Sequence, residues 1–232
     1  PKKNGNGRAF ASQQSLASYI WSTCDILRRS NCAGALQYVP ELTWILFLRI
    51  LDEREEQEAA EARAVGQPFA PSLAAPYRWR DWAANEAGIS GDELIAFVNN
   101  DEAMRPDGKR GPGLFAYLRC LQGANGGDRR DVVATVFKGT INRMINGYLL
   151  RDIINKVNSI HFTSSEEIHT LGHLYESMLK EMRDAAGDSG EFYTPQQISS
   201  ILSGIVTLDS QDPSTGPVPQ LGSILDFACG SG

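Results

Sequence analysis

Residues 190–195 read Gly-Glu-Phe-Tyr-Thr-Pro, and residues 224–232 read Ile-Leu-Asp-Phe-Ala-Cys-Gly-Ser-Gly. The first stretch predicts a helix start, because Thr194 can cap the helix with its hydroxyl and Pro195 suits the first helical position. Gln197, three residues after Thr194, completes a capping box. The second stretch is a short apolar run followed by Gly-x-Gly, where the backbone can approach a ligand closely. Either stretch alone also suits a plain helix or turn, but in this order they favour a cofactor site.

The two stretches together resemble the modification subunit of type I restriction–modification systems, a DNA methyltransferase that acts on the exocyclic amine of adenine. That family carries a Gly-Glu/Gln-Phe/Tyr-Tyr/Phe-Thr-Pro segment, followed by Asp-Pro-Ala-Cys/Ala-Gly-Ser/Thr-Gly at the end of the first strand of its catalytic sheet. This sequence matches the first segment, and it departs from the second only at Phe227, where the family has proline. The resemblance implies a class I, Rossmann-like methyltransferase domain that uses S-adenosylmethionine.

The resemblance places the cofactor-binding residues in these two segments. They are Glu191, Phe192, Tyr193, Thr194, Pro195, Gln196, Asp226, Gly230, Ser231 and Gly232. A helix N-terminus and the N–H groups of a glycine loop attract the carboxylate of S-adenosylmethionine. We expect Asp226 to accept a hydrogen bond from the ammonium group, and Phe192 or Tyr193 to cover an apolar part of the cofactor.

The family's catalytic motif, Asn-Pro-Pro followed by an aromatic residue, is absent, since the sequence contains neither Asn-Pro nor Pro-Pro. No catalytic residue is therefore assigned. A lone terminal strand has no neighbouring strand for its backbone hydrogen bonds. We expect this chain to be the N-terminal part of a longer enzyme, inactive by itself, with weak or no binding of S-adenosylmethionine.

Two helical patterns near the N-terminus extend the resemblance. Residues 12–29 place apolar side chains along one helical stripe, and residues 41–64 predict a second helix that begins apolar and becomes charged. The apolar half is too short to span a bilayer and contains Arg49, which favours a core helix that emerges into solvent. The family's two helical motifs are matched at Trp21, Asp25, Leu27, Arg28, Phe47, Leu48, Arg49, Ile50 and Asp52.

The middle of the chain predicts shorter elements. Ser90 and Glu93 form a capping box before a helix. Residues 105–113 are typical of a turn-rich loop, because they contain three glycines and two prolines. Periodic apolar residues predict three further helices, at residues 114–121, 131–137 and 148–157.

A further amphipathic helix is predicted to begin at residues 163–166. In the family, a helix with the pattern Tyr-Glu-x-x-Leu joins the helical domain to the catalytic domain. Tyr175, Glu176 and Leu179 match that pattern. The same region contains His169 and His173, which lie four residues apart, but Thr170 stands where a zinc-protease motif requires glutamate, so we predict no metal site.

The charge of the chain is unevenly distributed. Its net charge of −6 and pI near 5.1 argue against a general nucleic-acid-wrapping protein. Residues 103–160 nevertheless hold ten Lys or Arg against four Asp or Glu, which suits either phosphate contact or a solvated helical face. Residues 77–82, with three aromatics and two arginines, suit either base stacking or an anchor in the core.

The four cysteines form no Cys-x-x-Cys pair. In a chain without a recognisable signal peptide they are expected to be reduced thiols, which favours a cytoplasmic location. The sequence also lacks a Gly-x-Ser-x-Gly elbow and a Walker-type phosphate loop.

The predicted fold is mainly α. It comprises a mobile N-terminus at residues 1–9, a helical N-terminal domain at residues 10–162, and the start of a class I methyltransferase domain at residues 163–232. The resemblance implies that the specificity and restriction subunits of the same system are partners, with double-stranded DNA bound through the complex and no membrane contact. The helical domain is then expected to serve subunit assembly and closure around DNA.

Two alternatives come from other functional classes. A class I methyltransferase that acts on protein or a small molecule shares the glycine loop but lacks the Asn-Pro-Pro-aromatic motif. A helical interaction module without enzymatic activity would use the terminal Gly-x-Gly only as a turn. The match at residues 190–195 favours the DNA methyltransferase over both.

Overall fold

The computed structural model describes residues 13–123, 128–160, 171–172, 175–181 and 184. All of them belong to the first of the two units into which the chain divides, residues 1–185. The described elements are, in order, α1 (Gln13–Arg29), α2 (Ala35–Ala64), α3 (Trp79–Trp82), α4 (Gly91–Asn99), β1 (Glu102–Met104), β2 (Arg110–Pro112), α5 (Leu114–Arg119), α6 (Arg129–Phe137) and α7 (Gly147–Asn158). The predicted mainly α architecture is confirmed. Among these helices, none combines the length and apolarity that a membrane span requires.

Helix α2 begins earlier than its sequence predicts. The prediction placed its start near Glu41, whereas the helix begins at Ala35 and contains Pro40. The N–H of Gly34 donates to Oε1 of Gln37 at 3.3 Å, which closes the first turn. Proline removes one helical hydrogen bond, but Tyr38 is almost fully buried in this segment, as is its neighbour Val39. Burial of these side chains therefore outweighs the missing bond.

The charged half of α2 also departs from the prediction of a solvent-exposed helix. Asp52, Glu53 and Glu55 are all buried. Asp52 accepts a hydrogen bond from Nε of Arg80 at 2.9 Å, and Glu53 lies 3.1 Å from Arg49. A buried carboxylate is tolerated only when it is paired, and these arginines supply the pairing. The helix becomes mainly exposed only beyond Glu55.

Helices α4 and α7 each begin with a glycine, Gly91 and Gly147, and the two helices contact each other at these residues. A Cβ added to Gly147 would overlap the carbonyl oxygen of Gly91. Gly91 has a φ of 56°, which is the left-handed region, so the chain enters α4 through an irregular turn. The capping box predicted at the start of α4 is wrong, because the hydroxyl of Ser90 makes no capping hydrogen bond. The left-handed backbone at Gly91 is the reason for this difference. At α7, by contrast, Oδ1 of Asn146 accepts from two backbone N–H groups of the first turn.

The predicted loop at residues 105–113 contains part of a small hairpin. Strands β1 and β2 pair antiparallel, with Ala103 opposite Gly111. Gly108, with a φ of 76°, provides the left-handed turn between them. The strands are only three residues long, and alternation over so short a span is too brief to predict a strand. The helices predicted at residues 114–121, 131–137 and 148–157 are confirmed as α5, α6 and α7, with small shifts at their ends.

Aromatic rings connect the helices across the core. The ring of Trp44 on α2 meets Phe115 of α5 edge-on at 5.1 Å between centroids, and Phe115 lies 5.3 Å from Phe137 of α6. Trp82 packs on Phe97 of α4 at 5.8 Å. Such pairs add to the stabilisation that burial of the rings provides. One continuous core therefore joins the long helix α2 to the shorter helices that follow it.

A buried arginine fixes the turn between α3 and α4. The Arg151 guanidinium donates to the backbone carbonyls of Ile89 at 2.6 Å and Trp82 at 3.2 Å, and reaches the carbonyl of Ala83 at 3.3 Å. Burial lowers the pKa of Arg151 from its usual value. Because these carbonyls lie at the end of α3 or in the irregular connection that follows it, the guanidinium provides the hydrogen bonds that a continuing helix or a sheet would otherwise supply.

Replacing Gly147 with alanine tests the close approach of α4 and α7. The added methyl group must displace the backbone at Gly91, so we expect Gly147→Ala to lower the free energy of unfolding by about 3 kcal/mol. Gly139→Ala is the matched control, since nothing lies within 4 Å of the added Cβ, and its effect should stay below about 0.5 kcal/mol. Urea unfolding followed by tryptophan fluorescence measures both. Equal effects of the two variants would contradict the packing described here.

The pH dependence of stability tests the buried carboxylate of Glu41. Burial raises the pKa of Glu41 above its ordinary value of 4.5. The carboxyl group of Glu41 therefore stays protonated in the folded chain at pH values where it is ionised in the unfolded chain. The stability gained from this difference is lost as the pH rises through the pKa of the folded state. Glu41→Gln carries no such proton. The free energy of unfolding of the wild type, relative to Glu41→Gln, should increase as the pH falls from 7 towards 4.5 in urea titrations. A difference that is independent of pH would exclude this shift.

Candidate functional site

The residues predicted to bind the cofactor lie outside the described residues. They are Glu191, Phe192, Tyr193, Thr194, Pro195, Gln196, Asp226, Gly230, Ser231 and Gly232. The predicted helix start at residues 163–166 lies outside them as well, as do His169 and His173. None of the predicted cofactor-binding residues is therefore described. The family motif nearest to them that the structure does describe is Tyr-Glu-x-x-Leu, at residues 175–179.

Residues 175–181 are helical, and we call them the connecting helix. Met178 is buried and belongs to the core of the helical unit. Leu179 is half-buried beside it, whereas Tyr175 is exposed. One face of the connecting helix therefore packs on the helical unit through an apolar anchor.

A polar contact holds the end of the connecting helix. The hydroxyl of Tyr38 on α2 donates to the Glu181 carboxylate. Arg28 of α1 donates to the same hydroxyl oxygen at 3.2 Å and lies 3.8 Å from Glu181. Burial, together with the hydrogen bond to Glu181, raises the pKa of Tyr38 to about 12. The phenol therefore stays protonated at neutral pH and remains a donor.

The motif that resembles the family in α1 surrounds this contact. Asp25 accepts a hydrogen bond from Arg28 at 2.8 Å, which orients the guanidinium. The same guanidinium lies 4.6 Å from the centre of the Tyr38 ring and 5.7 Å from the Trp21 ring, so that cation–π attraction adds to the hydrogen bonds. The residues in α1 thus form a support for the connecting helix. Sequence reasoning missed Tyr38 and Glu181, because they are 143 residues apart and neither belongs to a motif.

Most cations of residues 103–160 are engaged inside the fold. Arg129 forms two hydrogen bonds with Glu58 at 2.8 Å, and this pairing lowers the pKa of Glu58. Arg119 donates to the carbonyl of Thr140 at 2.7 Å, and Lys156 donates to Ser22 at 2.9 Å. The local positive charge therefore stabilises contacts between segments.

The aromatic cluster at residues 77–82 is part of the core. Trp79 is 1% exposed and Trp82 is 3% exposed, and the Tyr77 ring stacks on Tyr117 at 3.8 Å. The base-stacking alternative for these aromatics is wrong, because buried rings present no face to a base. The anchoring role in the core is confirmed.

No metal site is found within the described ranges, and the two buried thiols there, of Cys24 and Cys32, are not reactive. The described cysteines are free, and burial raises the pKa of Cys24 to about 12 and of Cys32 to about 11. Thiols with such pKa values are not nucleophilic at neutral pH. In the same part of the chain, no group of three His, Cys, Asp or Glu side chains is arranged to hold a metal ion.

Loss of the Tyr38 hydroxyl tests the attachment of the connecting helix. Tyr38→Phe removes a hydrogen bond to a carboxylate, which is worth about 1.5 kcal/mol or more. Amide hydrogen exchange at residues 175–181 should then become about ten-fold faster, as measured by mass spectrometry. Tyr148→Phe is the control, because that side chain is exposed and lies on α7. Unchanged exchange in Tyr38→Phe would show that Met178 alone holds the helix.

Comparisons with known families cover both parts of the chain. The sequence profile described as HsdM N-terminal domain matches residues 16–157. The profile described as N-6 DNA Methylase matches residues 166–232.

Individual relatives belong to the same type of system. The type I restriction enzyme EcoEI methylase subunit of Escherichia coli is 38% identical over 220 residues, which cover 94% of this chain and 39% of that protein. A modification subunit assigned to a type I restriction enzyme of Vibrio vulnificus YJ016 has a crystal structure with a TM-score of 0.77 and 61% identity, covering 85% of this chain and 41% of that one.

A further solved chain, from work on complex assembly and conformational transition of the type I R-M system, has a TM-score of 0.63 and 36% identity. The matched region covers 84% of this chain and 36% of that solved chain. The chain thus spans roughly two fifths of the length of the relatives that it matches. Since the HsdM N-terminal domain profile alone covers more than half of its residues, this chain belongs to the family of modification subunits of type I restriction–modification systems.

Proposed function

We propose that this chain forms part of an enzyme that transfers a methyl group from S-adenosylmethionine to an adenine in double-stranded DNA. The observation that carries the proposal is the N-6 DNA Methylase match over residues 166–232, because this range includes both predicted cofactor segments. The cofactor supplies the methyl group. The chain's own residues would bind and orient it, with the helix start at Thr194 and the glycine loop at residues 230–232 facing its charged end.

We propose that residues 10–162 form the helical domain and that residues 163–232 form the start of the catalytic domain. The helical domain would hold the catalytic domain through the connecting helix, where Tyr38, Arg28 and Met178 supply the contacts. The base must leave the duplex before its amine can meet the methyl group. A domain that fixes the position of the catalytic site relative to other subunits supports that step, since small displacements of reacting groups lower rates strongly.

The partners we propose are the specificity and restriction subunits of the same system, with DNA bound through the assembled complex. A similar solved chain comes from work on the assembly of such a system, which supports this view. The free, buried thiols of Cys24 and Cys32 agree with a cytoplasmic location. The alternative of a purely helical interaction module is disfavoured, because the methylase profile covers residues 166–232.

Methyl transfer by the complete subunit tests the proposed activity. The longer chain, assembled with its specificity subunit, should transfer labelled methyl from S-adenosylmethionine to adenine in double-stranded DNA, whereas residues 1–232 alone should transfer none. Nucleoside analysis of the product identifies the methylated base. Methyl appearing on cytosine, on protein or on a small molecule would refute adenine as the target.

Asp226→Ala in the complete subunit tests the cofactor site. Loss of a hydrogen bond to an ammonium group costs about 1.5 to 3 kcal/mol, so the affinity for S-adenosylmethionine should fall about 10- to 100-fold. Asp209→Ala is the matched control, as it removes a carboxylate from the same region of the sequence outside both cofactor segments. Equilibrium binding by calorimetry measures both. Unchanged affinity in Asp226→Ala would remove this role from Asp226.

A further inference from the structure

A carboxylate of the connecting helix is held by donors that belong to α1 and α2. The hydroxyl of Tyr38 donates to the Glu181 carboxylate, and Nη2 of Arg28 lies 3.8 Å from the same carboxylate oxygen. We call Arg28 and Tyr38 the carboxylate socket. The contact joins residues of two different family profiles, because the socket lies within the HsdM N-terminal domain match and Glu181 lies within the N-6 DNA Methylase match.

The carboxylate socket is oriented by residues of its own two helices. Nη1 of Arg28 donates to Oδ1 of Asp25 at 2.8 Å, and Nη2 donates to the hydroxyl oxygen of Tyr38 at 3.2 Å. The guanidinium also lies against the rings of Tyr38 and Trp21. Because all these contacts are made between α1 and α2, we expect the socket to keep its geometry when Glu181 leaves it.

Water reaches the charged groups of this contact. The side chain of Arg28 is 36% exposed and that of Glu181 is 47% exposed. Release of Glu181 therefore returns its carboxylate to water, which costs far less than opening an ion pair in the core. The pair of Arg49 and Glu53 inside α2 illustrates the other case, since both side chains are 8% exposed. The contact at Glu181 can thus open and close while the helical unit stays folded.

The position of Glu181 in the chain gives this contact its consequence. The connecting helix is anchored by the buried Met178, one turn before Glu181. The first compact unit ends at Ala185, four residues after Glu181. The predicted cofactor segments begin soon after that boundary, at residue 190. A small rotation of the helix end therefore displaces the residues that follow it, and displacements of about 1 Å are enough to slow a reaction about 100-fold.

We propose that Glu181 is a positioning residue for methyl transfer, and that the carboxylate socket of Arg28 and Tyr38 is its reversible receptor. The proposal rests on the proposed function for the reaction that Glu181 influences. Glu181 lies outside both predicted cofactor segments and acts through the orientation of the domain that follows it. Its removal should therefore slow methyl transfer and leave the affinity for S-adenosylmethionine unchanged.

Amide hydrogen exchange of the present chain tests the socket without any enzymatic activity. Glu181→Ala removes a hydrogen bond to a charged group, so exchange at residues 175–181 should become about ten-fold faster. Exchange at residues 21–28 should change less than about two-fold, because α1 and α2 hold the socket by themselves. Lys180→Ala is the matched control, since Lys180 is the exposed neighbour of Glu181 on the same helix. Faster exchange at residues 21–28 would refute a preassembled socket.

Single-turnover methyl transfer by the complete subunit, assembled with its specificity subunit on DNA, tests the positioning role. Glu181→Ala should lower the rate at least about ten-fold, whereas the dissociation constant for S-adenosylmethionine, measured by calorimetry, should stay within about two-fold. Glu181→Gln should restore part of the rate, because its amide oxygen still accepts from Tyr38. The double variant with Tyr38→Phe should be no slower than the slower single variant, since both changes break the same bond. Lys180→Ala should keep the wild-type rate.

Each other result overturns a specific statement. Unchanged exchange in Glu181→Ala would refute the attachment, and faster exchange with a wild-type rate of transfer would refute the positioning role. Additive losses in the double variant would show that Tyr38 and Glu181 act separately. A loss of cofactor affinity equal to the loss of rate would place Glu181 in the cofactor site instead. If the wild-type subunit does not methylate adenine, the proposed function fails together with the positioning role, whereas the exchange experiment still decides whether the socket exists.

Discussion

The buried charges of α2 are the constraint on which the rest of the helical unit depends. Glu41, Asp52 and Glu55 are all buried, and each binds a group from a different segment of the chain. Glu41 holds the backbone of Arg143, and Glu55 accepts from the N–H of Ser72 at 2.9 Å. A buried carboxylate without a partner would cost several kcal/mol. The partners of these three buried carboxylates are the N–H groups of Arg143 and Ser72, in segments outside regular structure, and the side chain of Arg80 on α3. The buried carboxylates therefore fix the positions of segments that the hydrophobic core alone would not fix.

The first turns of α2 bind two segments that lie far from them in the sequence. Tyr38 binds the connecting helix, and Glu41, one turn later, binds the segment that carries Ile145. These residues lie on a helix that starts at Ala35, before the proline that a sequence-based assignment takes as its boundary. The early start therefore matters for the packing of the connecting helix, because Tyr38 lies in the part of α2 that precedes Pro40.

The helical spacing of apolar residues predicted the long helices, whereas short sequence motifs were poor predictors of the hairpin and of the helix cap at Ser90. The stripe containing Leu16 and Ile20 identified α1, and Leu150 with its neighbours identified α7. The hairpin was missed since strands of three residues show no reliable alternation, and the capping box at Ser90 failed since Gly91 enters its helix in a left-handed conformation. Contacts between distant residues leave no local signal, which is why the support around Tyr38 was not predicted. The cofactor segments were inferred from their resemblance to a family, and they lie outside the described residues.

Several cations in residues 103–160 are engaged in contacts within the fold. Of the arginines in the basic half of the unit, Arg129 pairs with carboxylates of α2, Arg130 pairs with Asp128, and Arg151 binds backbone carbonyls. Salt screens the more exposed pair of Arg130 and Asp128 more strongly than the contacts of the buried Arg151 or the pairing of Arg129 with the buried Glu55. Much of the positive charge of this region is thus used for contacts within the fold, so the excess of Lys and Arg in residues 103–160 is not by itself evidence of a phosphate-binding face.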